Sequence, residues 1–116
     1  MASFATEQKS YTDLVVYHAD PVMAKRTISG LSLAADLNIG DVIDASGNLF
    51  VANDSAAYVV AVPASAGDTY VIVIGSGCVL NPAAINVTDP TGYTGAINFI
   101  TAAGNRIADA NTVITE

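Results

Sequence analysis

The 116-residue chain is poor in the residues that carry most chemistry: it has one cysteine, one histidine, two glutamates, four basic residues and no tryptophan. A single cysteine, Cys78, excludes an intrachain disulfide and any cysteine-rich metal site. Lys9, Lys25, Arg26 and Arg106 stand against eleven acids, for a net charge of −7. The imbalance is local. Residues 1–35 carry three bases and three acids, whereas residues 36–116 carry eight acids and Arg106 alone. Phosphate binding depends on Lys and Arg displacing counterions, so neither nucleic acid nor an anionic membrane surface is an expected partner. No apolar run approaches the ~20 residues of a membrane span. The first ten residues lack a basic stretch leading into an apolar one, so no secretory signal is expected, and synthesis in a reducing cytoplasm is the matching expectation.

What the chain does have is aliphatic bulk. It is 52% hydrophobic and 13% charged, the reverse of a disordered composition, and enough for one core. Residues 1–21 begin polar and aperiodic, then carry the isolated apolar run Leu14-Val15-Val16-Tyr17, closed by Pro21, which forces Asp20 to be extended. This reads as an extended N-terminal arm, standing apart from a folded domain over 22–116. Within that domain, strands are predicted over 22–28, 40–44, 49–52, 58–62 and 69–74, the last broken or bulged at Gly75-Ser76-Gly77 and continuing over 78–80, with 41–52 forming a hairpin about Asp44-Ala45-Ser46-Gly47-Asn48. The run 58–62 is apolar throughout, as expected of a strand buried on both faces. Asn81 before Pro82 predicts a capped helical turn, and Asp89-Pro90-Thr91-Gly92 has β-turn chemistry. Residues 95–103 fit a short helix ending before Gly104, or a strand. The roughly ten-residue strand spacing is that of a small barrel or sandwich.

Candidate chemistry is sparse. His18 lies in the arm with no partners in sequence and reads as a solvated residue. Cys78 follows Gly75-Ser76-Gly77, but a nucleophile elbow needs Gly-x-Ser-x-Gly between strand and helix, and a base is lacking; Cys78 reads as a small buried hydrophobe. Asp36-Leu37-Asn38-Ile39-Gly40-Asp41 starts like a calcium loop but has Gly40 at a ligand position, Asp41 at the glycine position and Gly47 at the twelfth. It reads as a polar turn. Gly75-Ser76-Gly77 is followed by no Lys-[Ser/Thr], so it is not a phosphate loop. Asn53-Asp54-Ser55 and Asn86-Val87-Thr88 mark exposed loops. No catalytic residue, metal or cofactor is expected.

Two stretches carry a resemblance. Residues 27–43, from Thr27-Ile28-Ser29-Gly30-Leu31 to Gly40-Asp41-Val42-Ile43, and residues 77–85, Gly77-Cys78-Val79-Leu80-Asn81-Pro82-Ala83-Ala84-Ile85, resemble segments of the tailed-phage head decoration proteins of the lambda type. The resemblance implies a mainly-β fold of the β-clip type with one or two short helices. It implies a non-enzymatic virion protein on the outer surface of the expanded head. Homotrimers at local threefold axes would clamp the major capsid protein against the pressure of packaged DNA. It further implies that the N-terminal arm, with Phe4, Tyr11, Leu14, Val15, Val16 and Tyr17 as its apolar contacts, adds a strand to capsid-protein sheets. A tail or fibre module is the alternative structural reading, and a thiol enzyme at Cys78 the catalytic one.

Overall fold

The computed structural model describes residues 11–19, 23–87 and 89–108. A single helical turn, α1 (Tyr11–Leu14), runs directly into β1 (Val15–His18). There follow β2 (Lys25–Ser29), β3 (Val42–Ile43), β4 (Tyr58–Val59), β5 (Tyr70–Ile74) and β6 (Cys78–Leu80). Short 3₁₀ turns at Pro82–Ala84 and Pro90–Gly92 then lead to helix α2 (Tyr93–Ala102) and β7 (Arg106–Ile107). The fold is mainly β, as its composition predicts. The strands form three small sheets, β1-β6-β7, β2-β5 and β3-β4, with no closed barrel among the described residues.

β5 shows why these residues pair. In Tyr70-Val71-Ile72-Val73-Ile74 the side chains alternate between two apolar clusters, Val71 and Val73 fully buried in one, Ile74 buried in the other with Ile72 packed against it, while Tyr70 at the strand's start is exposed. β3 and β4 are alike in this: Val42, Ile43, Val59 and Val60 are all buried. Val42 and Val59 face a core shared with Leu14, Phe50, Ile74, Leu80 and Ile100, whereas Ile43 and Val60 face a second with Leu33, Leu37, Val71 and Val73. β3-β4 is therefore a wall between two apolar clusters, which accounts for the continuous apolar run at 58–61. Val62 departs from the predicted two-sided burial and is exposed. A bridge from Val60 to Val73 joins this wall to β5.

The turns follow side-chain chemistry. Asp44 Oδ1 accepts the N–H groups of Ser46 and Asn48 at 2.9 and 3.1 Å, and the hairpin closes through a single bridge, Ile43 to Leu49, shorter than expected. Asn81 Oδ1 caps its 3₁₀ turn through Ala83 N at 3.0 Å, as predicted. The ambiguous stretch 95–103 is helical. Asp89 caps the turn leading into it, Ala96 and Ile100 bury one face at i, i+4 spacing, and Gly104 beyond its end has φ +102°.

Three expectations need correction. The first strand of the body is Lys25–Ser29, because Met23 and Ala24 form a turn whose carbonyls accept the N–H groups of Ser76 and Gly75. Among the described residues the strands form three small sheets and do not close into a barrel, with β3, β4 and β7 each two residues long. The third concerns the segment before Pro21. Tyr11–Ala19 does not stand apart from the body: β1 pairs antiparallel with β6, and Leu14 and Val15 lie in the main core. Burying those two side chains recovers the hydrophobic free energy that an isolated arm would forgo.

Candidate functional site

The apolar residues expected to make external contacts divide into three groups. Phe4 lies outside the described residues. Leu14 and Val15 are buried, at 0% and 7% exposure, and Tyr11 packs half-buried against the same core. Val16 and Tyr17 point outward, at 48% and 62% exposure. Two consecutive outward residues break strand alternation, and the pairing shows why: Val15 faces Leu80 and Tyr17 faces Val79, so two steps on β1 match one on β6. Val16 is the extra residue of a β-bulge, a device that re-aims side chains and is common on sheet edges. Because β6 sits between β1 and β7, β1 is such an edge among the described residues.

This edge rests on the element that carries the sequence resemblance. Asn81 N donates to Leu14 O at 2.8 Å, and Ala19 N donates to Gly77 O at 2.9 Å, so the segment is fastened at both ends to residues 77–81. The Tyr11 hydroxyl lies 3.2 Å from His18 Nδ1, and the Lys25 ammonium sits 4.5 Å above the Tyr11 ring. Burial, with a smaller contribution from Cys78, raises the Tyr11 pKa. His18 is thus half-buried and partnered rather than a solvated arm residue. Sequence reasoning missed the bulge because nothing in Leu14-Val15-Val16-Tyr17 marks which residue is unpaired.

The register also sets His18 directly opposite Cys78. The thiol is nevertheless turned into the core at 1% exposure, with its Sγ 3.7 Å from Ala24 O and 3.8 Å from Ser76 O. Burial raises its pKa, the opposite of the shift that activates a thiolate. Cys78 behaves as the small buried hydrophobe its neighbours predict.

The remaining polar motifs are internal fastenings. Gly75 N, Ser76 N and Gly77 N donate to the carbonyls of Ala24, Met23 and Gly104, so none of these N–H groups is aimed at a ligand. Asp41, nearly buried, accepts Asn38 N at 2.9 Å and Asn86 Nδ2 at 3.0 Å, while Asp36 Oδ1 accepts Ala66 N at 2.9 Å. The carboxylates of the calcium-like stretch therefore diverge to tie loops together. Among the described residues no three His, Cys, Asp or Glu side chains converge on a metal position. Nor is any helix among them long and apolar enough to cross a membrane. Searches against family models, curated proteins and solved structures match the chain to none.

Proposed function

We propose that the protein is a non-enzymatic structural virion component that binds the outside of an expanded phage head as homotrimers, bracing the major capsid protein. One observation carries the reading. The bulged edge strand β1, with Val16 and Tyr17 exposed, is fastened to the Gly77–Ile85 stretch that resembles the decoration proteins. The capsid contact consists of the residues before Tyr11, Phe4 among them, together with Val16 and Tyr17. Leu14 and Val15 hold the base of that segment to the body instead of touching the shell.

The physical logic is that of strand addition. Main-chain hydrogen bonds to an exposed sheet edge give affinity, and alternate side chains give register. Ordering a segment costs roughly 1–2 kcal/mol per residue in backbone entropy. α1 and β1 already fix Tyr11–His18 to the body, and three such segments on one trimer would raise avidity by ~10²–10⁴.

The test is cosedimentation of the purified protein with expanded, undecorated capsids of its phage, counting copies per capsid subunit. Saturation near one copy per subunit is the expected result. Failure to bind expanded shells would overturn the reading.

A further inference from the structure

The three-stranded sheet β1-β6-β7 has two unlike faces. Pairing sets Val15, Leu80 and Ile107 in one cross-strand row, and Tyr17, Val79 and Arg106 in the next. Leu80 is fully buried, Val15 nearly so, and Ile107 packs half-buried against the main core. Successive residues of a strand point to opposite faces, so the second row lies on the outer face. Exposure agrees: Tyr17 and Arg106 are exposed, and Val79 between them is half-buried. The bulge adds the exposed Val16 beside Tyr17. Gly77 N donates to Gly104 O at 3.1 Å and Ala108 N to Leu80 O at 2.7 Å, which fastens β7 to β6 on either side of Arg106. Neighbouring strands lie about 4.8 Å apart, so Tyr17 and Arg106 project from backbones about 10 Å apart.

Arg106 differs from the other described cations. The Lys25 ammonium lies over the Tyr11 ring and the Arg26 guanidinium over the Tyr58 ring, at 4.5 and 5.6 Å. Among the described residues Arg106 has neither a ring nor a carboxylate against it. It is also the only base in residues 36–116, where eight acids stand. Its guanidinium is a rigid fork that holds a carboxylate by two parallel hydrogen bonds. Arg and Tyr are the side chains that most often anchor protein interfaces.

We infer that the outer face of this sheet docks on the capsid protein, with Arg106 paired to an aspartate or glutamate of the shell and with apolar side chains beside it covering Tyr17 and Val79. The inference rests on the capsid reading and extends its contact from β1 across β6 to β7. Charge selects the partner. Eight acids around a single base repel a surface of many negative charges, whereas one carboxylate set among apolar groups matches the row.

The test is cosedimentation with expanded capsids over a range of protein concentrations, comparing the full wild-type chain with Arg106→Gln and Arg106→Glu. Because Arg106 is exposed on β7, both variants are expected to keep the wild-type melting transition. Arg106→Glu is expected to raise the concentration for half-saturation about tenfold or more, since it sets like charges face to face. Arg106→Gln should raise it roughly two- to fivefold and bind with less dependence on salt than wild type. Carbodiimide joins an amine to a touching carboxylate with loss of water, so with Arg106→Lys it should link position 106 to the capsid protein. Half-saturation of Arg106→Glu at the wild-type concentration would overturn the inference and leave the capsid reading standing. So would a link from position 106 within or between copies of the chain without capsids, which would make the chain's own carboxylate the partner. Absence of wild-type binding would overturn the capsid reading, and this inference with it.

Discussion

The side-chain carbonyl of Asn105 accepts the backbone N–H of Cys78 at 3.1 Å, and its amide donates to Gly75 O at 2.9 Å and to Ile100 O at 3.3 Å. One buried side chain therefore holds both sides of the break between β5 and β6, and ties them to the end of α2. Asn105→Ala would leave at least one buried donor or acceptor unpaired, at a cost of about 1–3 kcal/mol each. Chemical denaturation should show a loss of that size. Asn105→Asp keeps the acceptor for Cys78 but sets a carboxylate against two carbonyl oxygens, and should be no more stable than the alanine variant. A wild-type midpoint for either would remove Asn105 from the structural account.

Gly75 and Gly67 should respond to alanine for different reasons. A Cβ on Gly75 would overlap the Met23 carbonyl oxygen, a backbone atom that is itself hydrogen-bonded to Ser76 N. The strand or the Met23–Ala24 turn must shift, which costs about 1–3 kcal/mol as an overpacking change. At Gly67 a Cβ meets nothing within 4 Å, but φ is +89°. The cost there is conformational, about 1–2 kcal/mol. Gly67→Asn, which tolerates the left-handed region, should recover part of that loss, whereas Gly75→Asn should be worse than Gly75→Ala.

Asp89 gives the fold an acid-sensitive fastening. Its carboxylate accepts Ala52 N at 2.9 Å, and Thr91 N and Oγ1 at 3.1 and 2.8 Å, clipping the loop after Phe50 to the turn that starts α2. The Ala52 bond is the main cause of a lowered pKa, with the Thr91 hydroxyl next. A depressed folded-state pKa stabilises fully above the unfolded value of about 3.9 and loses that contribution as pH falls through the folded value. Asp89→Asn should lower Tm at neutral pH and flatten its decline below about pH 4. Parallel Tm–pH curves for variant and wild type would show that Asp89 does not contribute to acid sensitivity.

Much of the local structure was legible in the residues. The strand at 69–74, the break at Gly75-Ser76-Gly77, the cap at Asn81 and the burial of Cys78 all follow from side-chain type and short-range spacing. What was not legible depends on pairing across long sequence separations. Nothing local in Leu14-Val15-Val16-Tyr17 says that β6 accepts it, so an apolar run flanked by polar residues reads as a free arm. The two-core arrangement is equally hidden, because Val42-Ile43 and Val59-Val60 reveal only that both faces are buried, not against what. Phe50 illustrates the same limit: it is 1% exposed and meets Phe99 edge-on at 6.3 Å, a contact 49 residues apart that hairpin chemistry does not announce.

On the proposed capsid-binding reading, the N-terminal segment separates the stabilising and partner-binding roles of neighbouring residues. Leu14 is fully buried, so Leu14→Ala should cost about 2–5 kcal/mol. A chain starting at Val22 loses Leu14, Val15 and the whole of β1, uncovering Leu80 and Cys78; it should lose cooperative unfolding as well as capsid binding. A chain starting at Tyr11 keeps that docking and should retain the wild-type melting transition, yet bind capsids more weakly because Phe4 and its neighbours are gone. Val16→Asp with Tyr17→Asp changes two exposed side chains and should leave Tm within a few degrees of wild type while reducing capsid occupancy at a fixed protein concentration. The contrast with Leu14→Ala matters, because a destabilised chain also binds less. If the double aspartate variant saturates capsids like wild type, the bulged pair is not a contact, and the residues before Tyr11 must carry the binding alone.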